Sequence, residues 1–359
     1  MQDSKIYKKV LELHNKYEDW VGPFFFLFGF LFDVLTLGRI DDPLNIISQG
    51  IYLIILYSFL YFEFTGTPEH KKIEKLFKFK DEIFHFLLGA LLSAFTLFYF
   101  KSASLSASFV FMLTIFILLV INELQIFQKL GLLIKSTLLF LCLVTYFLYI
   151  IPLIIGKVGF FPFIFSLITP VLILFAFASF LRKKGCDQKR IEKGMVYPSL
   201  GLVALFIVFY LFKLIPPIPL SAQHLGIYHN IEKDFPHYRL SHEKPRWKFW
   251  ETGDEHFRAM PEDKIFVFTR IFAPGGFEDK IVLHFLKETK DGYKTSDKIP
   301  LNITGGRGEG FRGFAYKSNY TPGSWRVQVE TKDELEIARI NFEVIETPSA
   351  PRLLKEEIH

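Results

Sequence analysis

Long apolar runs separated by short polar connections fill the first 215 residues of the chain. Each run has 17–22 residues, and a helix that rises about 1.5 Å per residue needs about 20 residues to cross the hydrocarbon layer of a membrane. The seven runs are residues 20–37, 44–64, 83–100, 105–121, 136–155, 160–181 and 196–215. They predict an all-α membrane bundle of about seven transmembrane helices over 20–215. Lysines interleaved with apolar residues predict a cytoplasmic amphipathic helix over 1–19, and a loop that only enforces the topology is the alternative.

The hydrophobic period changes from helical to alternating after a proline-rich spacer at 216–221, which cannot continue a helix. Runs with a period of two predict strands at residues 264–272, 280–288, 299–304, 311–318, 324–330 and 335–345. Short strands separated by Gly and Pro turns are typical of an antiparallel sandwich. We therefore predict an all-β antiparallel sandwich domain at 264–346. An irregular segment at 222–263 leads into it, and a tail at 347–359 follows it.

Composition divides the chain at the same place. Half of the 359 residues are hydrophobic and 22% are charged, but residues 1–219 carry a net charge of +6 and residues 220–359 one of −1. This mixture excludes a single soluble globular domain, and the apolar content excludes a disordered chain. The basic excess belongs to the apolar half, so it predicts no nucleic-acid partner.

The lysines and arginines of the connections predict how the bundle is threaded. Seventeen of them lie in residues 1–19, 65–82, 122–135 and 182–195, and three lie in the connections on the other side. Positively charged connections tend to stay in the cytoplasm. The N-terminus is therefore expected in the cytoplasm, and an odd number of spans puts residues 220–359 on the opposite side.

Several motifs of the predicted sandwich resemble a known family. They are Gly305-Gly306-Arg307, Gly310-Phe311-Arg312-Gly313, Pro322-Gly323-Ser324-Trp325-Arg326-Val327 and Ala338-Arg339-Ile340-Asn341-Phe342. Together they resemble the bacterial family catalogued as domain of unknown function 2914, and residues 32–41 look like the polytopic membrane half often found before it. The resemblance implies a multi-pass protein of the bacterial inner membrane with a periplasmic β domain, and supplies no activity. The chain departs from the pattern at residues 332–335, where a turn containing glycine is expected.

Polar residues at the end of the first apolar run form one candidate ligand-binding cluster. Its members are Asp33, Thr36, Arg39, Asp41 and Asp42. Ionisable residues are costly inside a membrane and often functional there, so they predict a pocket at the outer leaflet that binds a lipid headgroup or an ion. The alternative is a structural ion pair, in which Arg39 pairs with Asp33 or with an aspartate beyond it.

Four arginines and two tryptophans of the outer domain are the other candidate ligand-binding residues. They are Arg307, Arg312, Arg326, Arg339, Trp247 and Trp250. If their strands are neighbours, the guanidinium groups could clamp a carboxylate or a phosphate. Cross-strand salt bridges with Glu330 and Glu343 are the alternative. The two indoles predict either an aromatic platform for a sugar or a plug in the core.

No pattern in the chain indicates catalysis. The histidines of the outer domain lack metal-ligand spacing, and this domain has no cysteine and no GxSxG motif. Residues 308–313 fit GxGxxG, but a strand is predicted after them where a dinucleotide site needs a helix. We therefore expect no catalytic residue, no metal and no cofactor.

The predicted function is a non-enzymatic inner-membrane protein that presents a periplasmic β-sandwich as a binding module. Its expected partners are the lipid bilayer and an envelope glycan, a lipid headgroup or a periplasmic protein. One alternative is a transporter or lipid-handling protein that uses the polar cluster around Asp33. A lipid-modifying intramembrane enzyme is the other.

Overall fold

A computed structural model describes the fold over residues 31, 33–35, 37–66, 80–102, 104–123, 131–245, 247–248, 250–306, 308, 310–347 and 352–359. Contacts divide the chain into two compact units. The first takes its described residues from Met1–Phe98, Val110–Phe147 and Ser166–Val208. The second comprises Tyr99–Phe109, Leu148–Phe165 and Phe209–His359, so it holds several helix ends as well as the strands.

The structure gives the bounds of seven α-helices. They are α1 (Pro43–Thr65), α2 (Lys80–Ser102), α3 (Leu105–Glu123), α4 (Gly131–Ile155), α5 (Phe160–Lys183), α6 (Gln188–Ile191) and α7 (Tyr197–Leu211). A π-helical segment, Glu192–Val196, joins α6 to α7 in one continuous helix. Local signals set the start of α1, because Asp42 accepts the backbone N–H of Leu44 and Pro43 occupies the first turn.

Five of these helical segments are long and apolar enough to cross a membrane. They are Pro43–Thr65, Ile83–Ser102, Gly131–Ile155, Phe160–Lys183 and Gln188–Leu211. A sixth predicted run, in α3, has a shorter apolar part at Ala107–Val120. The first predicted run, at 20–37, and the amphipathic helix at 1–19 lie almost wholly outside the described residues. The coarse prediction of several membrane-length helices is confirmed, and the count of seven stays a prediction.

Eleven strands have described bounds. They are β1 (Ser221–Tyr228), β2 (Asn230–Asp234), β3 (His237–His242), β4 (His256–Ala259), β5 (Ile265–Phe272), β6 (Glu278–Thr289), β7 (Gly292–Thr304), β8 (Phe311–Lys317), β9 (Gly323–Thr331), β10 (Glu336–Glu346) and β11 (Lys355–Ile358). They form three sheets, in the orders β1-β5-β8, β4-β10-β9-β6-β7 and β11-β3-β2.

One hydrophobic core connects the two sheets with more residues, β1-β5-β8 and β4-β10-β9-β6-β7, which are the two larger sheets. It contains Ile227 and Val267 from the β1-β5-β8 sheet and Phe285, Val327 and Phe342 from the five-stranded sheet. A second, smaller core joins the opposite face of the β1-β5-β8 sheet to β2 and β3. Its members are Tyr228, Ile231, Leu240 and Phe268. The alternation predicted for β9 and β10 is confirmed, since their inward positions are buried in the first core.

Three features differ from the prediction. The stretch 222–263, expected to be irregular, contains most of β1 and all of β2, β3 and β4, and the tail at 347–359 contains β11. These strands are short or polar, so their own sequence carries no clear period of two. β4 also pairs with β10 in parallel, whereas the other pairs among the described strands are antiparallel. A long connection leaves strand direction free, whereas a hairpin fixes it.

Candidate functional site

Charged side chains from separate parts of the β-rich region meet in a buried cluster. His229 follows β1, Glu243 follows β3, Asp254 precedes β4, and Arg258 lies in β4. The side chains of His229, Glu243 and Asp254 are 3%, 7% and 3% exposed. Taking ionised groups out of water costs several kcal/mol each unless partners compensate, so such a cluster needs a structural or functional reason.

Most of the charged groups in this cluster form hydrogen bonds or ion pairs. Arg258 Nε donates to Glu243 Oε2 at 2.8 Å. Both carboxylate oxygens of Asp254 accept the backbone N–H of Glu243, at 2.9 and 3.0 Å. Arg352, from the segment before β11, donates to the carboxylate of Asp263 and to the carbonyl oxygen of Arg258. The cluster therefore links the C-terminal segment to β3 and β4.

His229 lies at the centre of this cluster with its imidazole held by packing. Its ring stacks on Phe257 with centroids 4.2 Å apart. Nε2 lies 3.5 Å from Asp254 Oδ2 and 3.7 Å from Glu243 Oε2, which is too far for a good hydrogen bond. Neither ring nitrogen has a hydrogen-bond partner among the described residues.

Burial shifts the pKa values of His229 and Asp254 in opposite directions. Burial, together with the charge of Arg352, lowers the pKa of His229 to about 4. Burial also raises the pKa of Asp254 to about 6. At neutral pH the imidazole is therefore uncharged and the carboxylate is ionised, and mild acidification protonates Asp254 first.

A cavity of about 450 Å³ lies beside the cluster, and Asp263 belongs to both. Its volume falls in the range of small-molecule sites. Oxygen atoms dominate the polar part of its lining, in Glu262, Asp263, Ser318, Tyr320, Glu346 and Thr347. Hydrogen bonds from Arg352 and from the N–H of Met260 fix the Asp263 carboxylate. The cavity can therefore accept a ligand that carries hydroxyl or amino donors.

The opposite end of the β-rich region contacts the helix ends of the same unit. The carboxylate of Asp333, in the β9–β10 turn, accepts the first N–H of α5 from Phe160 at 2.9 Å. Asp279, in β6, accepts the N–H of Val158 at 3.2 Å, and Val158 itself is buried in the core of the two larger sheets. Ser104, between α2 and α3, donates to the carboxylate of Glu336.

Glu334 adds an ion-pair network to this contact. Lys213, just after α7, donates to Glu334 Oε2 at 2.5 Å, and Lys298 of β7 donates to Oε1 at 2.9 Å. The hydrogen bonds from these two lysines lower the pKa of Glu334 to about 2. The turn at 332–335, where the resemblance led us to expect a glycine, is thus the turn that contacts the helix ends.

The predicted cluster at the start of the helical region is engaged in internal contacts. Ser93 of α2 donates to Asp33 Oδ2 at 2.5 Å. Arg39 pairs with Asp41 through two hydrogen bonds of 2.9 and 2.7 Å, and Asp42 caps α1. Of the two pairings left open for Arg39, the structure has the one with an aspartate beyond Asp33. Thr36 lies outside the described residues.

The predicted arginine clamp is divided between two sheets. Arg326 of β9 donates to Asn341 at 2.8 Å and stacks 3.8 Å from the ring of Tyr293. Arg339 of β10 pairs with Glu336, and Arg312 of β8, in the other sheet, donates to the carbonyl oxygen of Pro236 at 2.9 Å. Arg307 lies outside the described residues. The described arginines therefore bind separate partners and do not converge.

Trp247 and Trp250 lie in the connection between β3 and β4. Their rings are 5.7 Å apart at 68°, and they are 65% and 60% exposed. The Lys248 ammonium lies 5.7 Å from the Trp247 ring. This exposure favours the surface platform over the core plug.

Sequence reasoning missed the buried charge cluster entirely. Its members are separated by up to 123 positions, and no spacing between them matches a known motif. The sequence held only a weak signal for this cluster, namely carboxylates and arginines within the stretch 222–263, which has no clear hydrophobic period. Among the described residues, no group of three or more His, Cys, Asp or Glu side chains is arranged to hold a metal ion.

The chain thus has membrane-length apolar helices followed by a β-rich region that contains a buried charge cluster. The family model described as "Protein of unknown function (DUF2914)" matches residues 278–344, from β6 into β10. The resemblance predicted from the motifs is thereby confirmed for this part of the chain. No curated protein matches the chain.

Several solved structures match the chain at low identity and with low TM-scores. An immunoglobulin-like protein from Pseudomonas aeruginosa is 14% identical over 35% of this chain and 96% of its own, with a TM-score of 0.22. A β-glucosidase from Listeria innocua in complex with glucose is 14% identical over 25% of this chain and only 15% of its own, with a TM-score of 0.20. An alkylpurine DNA glycosylase from Pseudomonas fluorescens is 9% identical over 85% and 82%, with a TM-score of 0.23.

Proposed function

We propose that the chain is a multi-pass protein of the bacterial inner membrane that carries a non-enzymatic, periplasmic binding module. Five membrane-length helices and the uneven placement of lysine and arginine support the membrane location and its direction. The core shared by the two larger sheets supports a sandwich as the architecture of the module.

The observation that carries this proposal is the set of contacts between the strands and the helix ends. Asp333, Asp279 and Glu334 each bind a group at or between helix ends of the same unit. These helix ends, at Phe160 and Lys213, belong to connections that are poor in lysine and arginine, whereas the connection after α5 is rich in them. A module seated at the lysine-poor ends would stand on the periplasmic side.

The cavity beside Asp263 is the proposed ligand site of the module. Its carboxylates and hydroxyls suit a ligand with many hydroxyl or amino donors, which favours an envelope glycan among the expected partners. The buried cluster would hold Arg352, and through it Asp263, in place. The exposed pair Trp247 and Trp250 offers a separate surface on which a sugar ring could stack.

The alternative functions use the polar cluster around Asp33. Asp33, Arg39 and Asp42 each make an internal contact, which favours a structural role for them. The double substitution Asp33→Asn with Arg39→Ala tests this directly. If it abolishes complementation of a deletion strain at an unchanged protein level, the membrane half is the active part and the binding-module proposal is overturned.

Reporter fusions test the membrane direction. Alkaline phosphatase fused after Ile345 should be active, because the enzyme folds only outside the cytoplasm, and green fluorescent protein at the same position should be dark. A fusion after Lys184 should show the opposite pattern. Fluorescence after Ile345 with inactive phosphatase would contradict the proposed orientation.

Binding is tested on the full chain in lipid nanodiscs with soluble peptidoglycan fragments as the probe. Asp263→Asn combined with Glu346→Gln should weaken binding at least about ten-fold, because each removes a charged acceptor from the cavity. Asp291→Asn, in the exposed β6–β7 turn, is the matched control. Equal binding by all three proteins would show that the cavity is not the ligand site.

A further inference from the structure

A groove of about 810 Å³ runs along the surface of the helical unit between α1, α4 and α5. On α1 its lining extends from Gly50 to Phe62, which is about 18 Å at the helical rise of 1.5 Å per residue. Half of the hydrocarbon layer is about 15 Å thick. The groove therefore has the length of one lipid chain in one leaflet.

Aromatic side chains form the walls of this groove. Tyr57 of α1 meets Phe177 of α5 edge to face at 5.3 Å, and Tyr61 lies 5.5 Å from Phe180. Such ring pairs make a wall that does not collapse easily into the space between the helices. The walls are almost wholly apolar, which suits a hydrocarbon chain.

The two ends of the groove differ in charge. At one end Lys184, exposed and 5.8 Å above the Phe180 ring, lines the groove. Near the other end Gly50 lies close to Tyr146, whose hydroxyl would be 3.0 Å from a Cβ at that position. An occupant must therefore be apolar and slender over most of its length and anionic at the Lys184 end.

We propose that this groove binds one acyl chain of an anionic phospholipid, with the lipid phosphate against Lys184. The ammonium group of lysine is a compact phosphate-binding charge. The proposal rests on the membrane location proposed above. On the proposed orientation, Lys184 lies at the cytoplasmic face, where anionic lipids meet basic residues.

The test uses the full chain in nanodiscs of phosphatidylcholine that contain a photoreactive phosphatidylglycerol, labelled on its acyl chain. Crosslinked peptides should map to the groove walls on α1 and α5. Lys184→Gln should lower labelling about five-fold, the effect of one cation near an anionic lipid. Ser58→Trp, which fills the groove from α1, should lower labelling as strongly.

Two controls match these substitutions in position and size. Lys183→Gln removes the neighbouring exposed charge outside the groove, and Ile168→Trp adds an indole elsewhere on α5. Both should keep the labelling of the unmodified chain. Labelling spread evenly over the helices, or equal labelling by photoreactive phosphatidylcholine, would overturn the proposal.

Fractionation of the same variants separates the two proposals. A chain that stays in the membrane fraction, yet shows no labelling in the groove, contradicts only the lipid site. A chain that is absent from the membrane fraction contradicts the proposed membrane location itself.

Discussion

A single carboxylate, that of Asp333, caps a helix that begins 173 positions earlier in the chain. It accepts the N–H of Phe160 and places a negative charge at the positive end of the α5 dipole. Gly159 makes this approach possible, because a Cβ there would collide with the Asp333 carboxylate, and its φ of +129° suits only glycine. The cap is therefore a tertiary contact that local sequence does not encode.

Replacing the cap should cost stability. Asp333→Ala is expected to lower the free energy of unfolding by about 1 kcal/mol, the usual cost of losing an N-terminal capping carboxylate. The measurement is chemical unfolding of the purified full chain followed by tryptophan fluorescence. Asp291→Ala, at an exposed turn, should change it by less than about 0.5 kcal/mol. An equal loss of unfolding free energy in both variants would show that Asp333 does not stabilise the protein as a helix cap.

His229 and Asp254 should give the protein opposing pH dependences. The pKa of His229 falls from 6.5 to about 4 on folding, so its contribution destabilises the fold as pH falls from 6.5 towards 4. The pKa of Asp254 rises from 3.8 to about 6, so its contribution stabilises the fold as pH falls from 6 towards 4. The two contributions largely cancel in the unmodified chain.

Single substitutions should expose each contribution. His229→Phe is expected to gain stability relative to the unmodified chain as pH falls from 6.5 to 4, and Asp254→Asn to lose it, each by at most roughly 3 kcal/mol. Unfolding free energies at pH 7, 5.5 and 4.5 provide the measurement. If the unfolding free energies of both variants changed with pH in the same way, the opposite pKa shifts of His229 and Asp254 would be contradicted.

Elements differ in how strongly their own sequence determines them. The strands β9 and β10 alternate clearly, and β5, β6 and β8 are rich in apolar residues. All five were predictable, because each contributes residues to the large core. β2, β3 and β11 are short and polar, and their pairing with one another stabilises them. The π-helical segment also lacked a sequence signal, because it depends on a neighbouring helix.

Ser136 of α4 stabilises that π-helical segment by a tertiary hydrogen bond. Its hydroxyl donates to the carbonyl oxygen of Gly194, and the absence of a side chain at Gly194 lets Leu132 approach closely. A widened turn leaves backbone groups without their usual helical partners, and here a side chain supplies one.

Removing this hydroxyl should loosen the segment. Ser136→Ala is expected to cost about 1 kcal/mol, because it removes a hydrogen-bond donor from a partly buried carbonyl oxygen. Thr137→Ala is the control, since that hydroxyl bonds the carbonyl oxygen of Leu133 in its own helix. Thermal unfolding of the two variants in the same detergent gives the comparison. A loss in Thr137→Ala as large as in Ser136→Ala would show that the bond to Gly194 contributes nothing specific.

At the scale of the whole molecule, the division into units does not follow the boundary between helices and strands. The ends of several helices, in Tyr99–Phe109 and Leu148–Phe165, belong to the same unit as the β-rich region. A module joined only by the proline-rich spacer would move independently of these ends. The contacts at Val158, Phe160 and Lys213 predict instead that they move together.

Hydrogen exchange should detect this joint unit. The amides of Val158 and Phe160 should be protected like those of the central strands, because β-region carboxylates accept both. Asp279→Ala should speed exchange at Val158 by at least about ten-fold and leave the amide of Leu240, in β3, unchanged. Exchange at Val158 and Phe160 as fast as in an unstructured peptide would mean that the β-rich region is only tethered.

Periodicity and composition were enough to predict the apolar helices, the change of period near residue 216, the alternating strands and the family resemblance. These features depend on periodicity and composition, which are local along the chain. The three-dimensional fold alone revealed the buried cluster around His229, the parallel pairing of β4 with β10, and the contact of residues 332–335 with the helix ends. Each of these brings together residues that are distant in sequence, and their partners are chosen by packing and by the cost of burying unpaired charge.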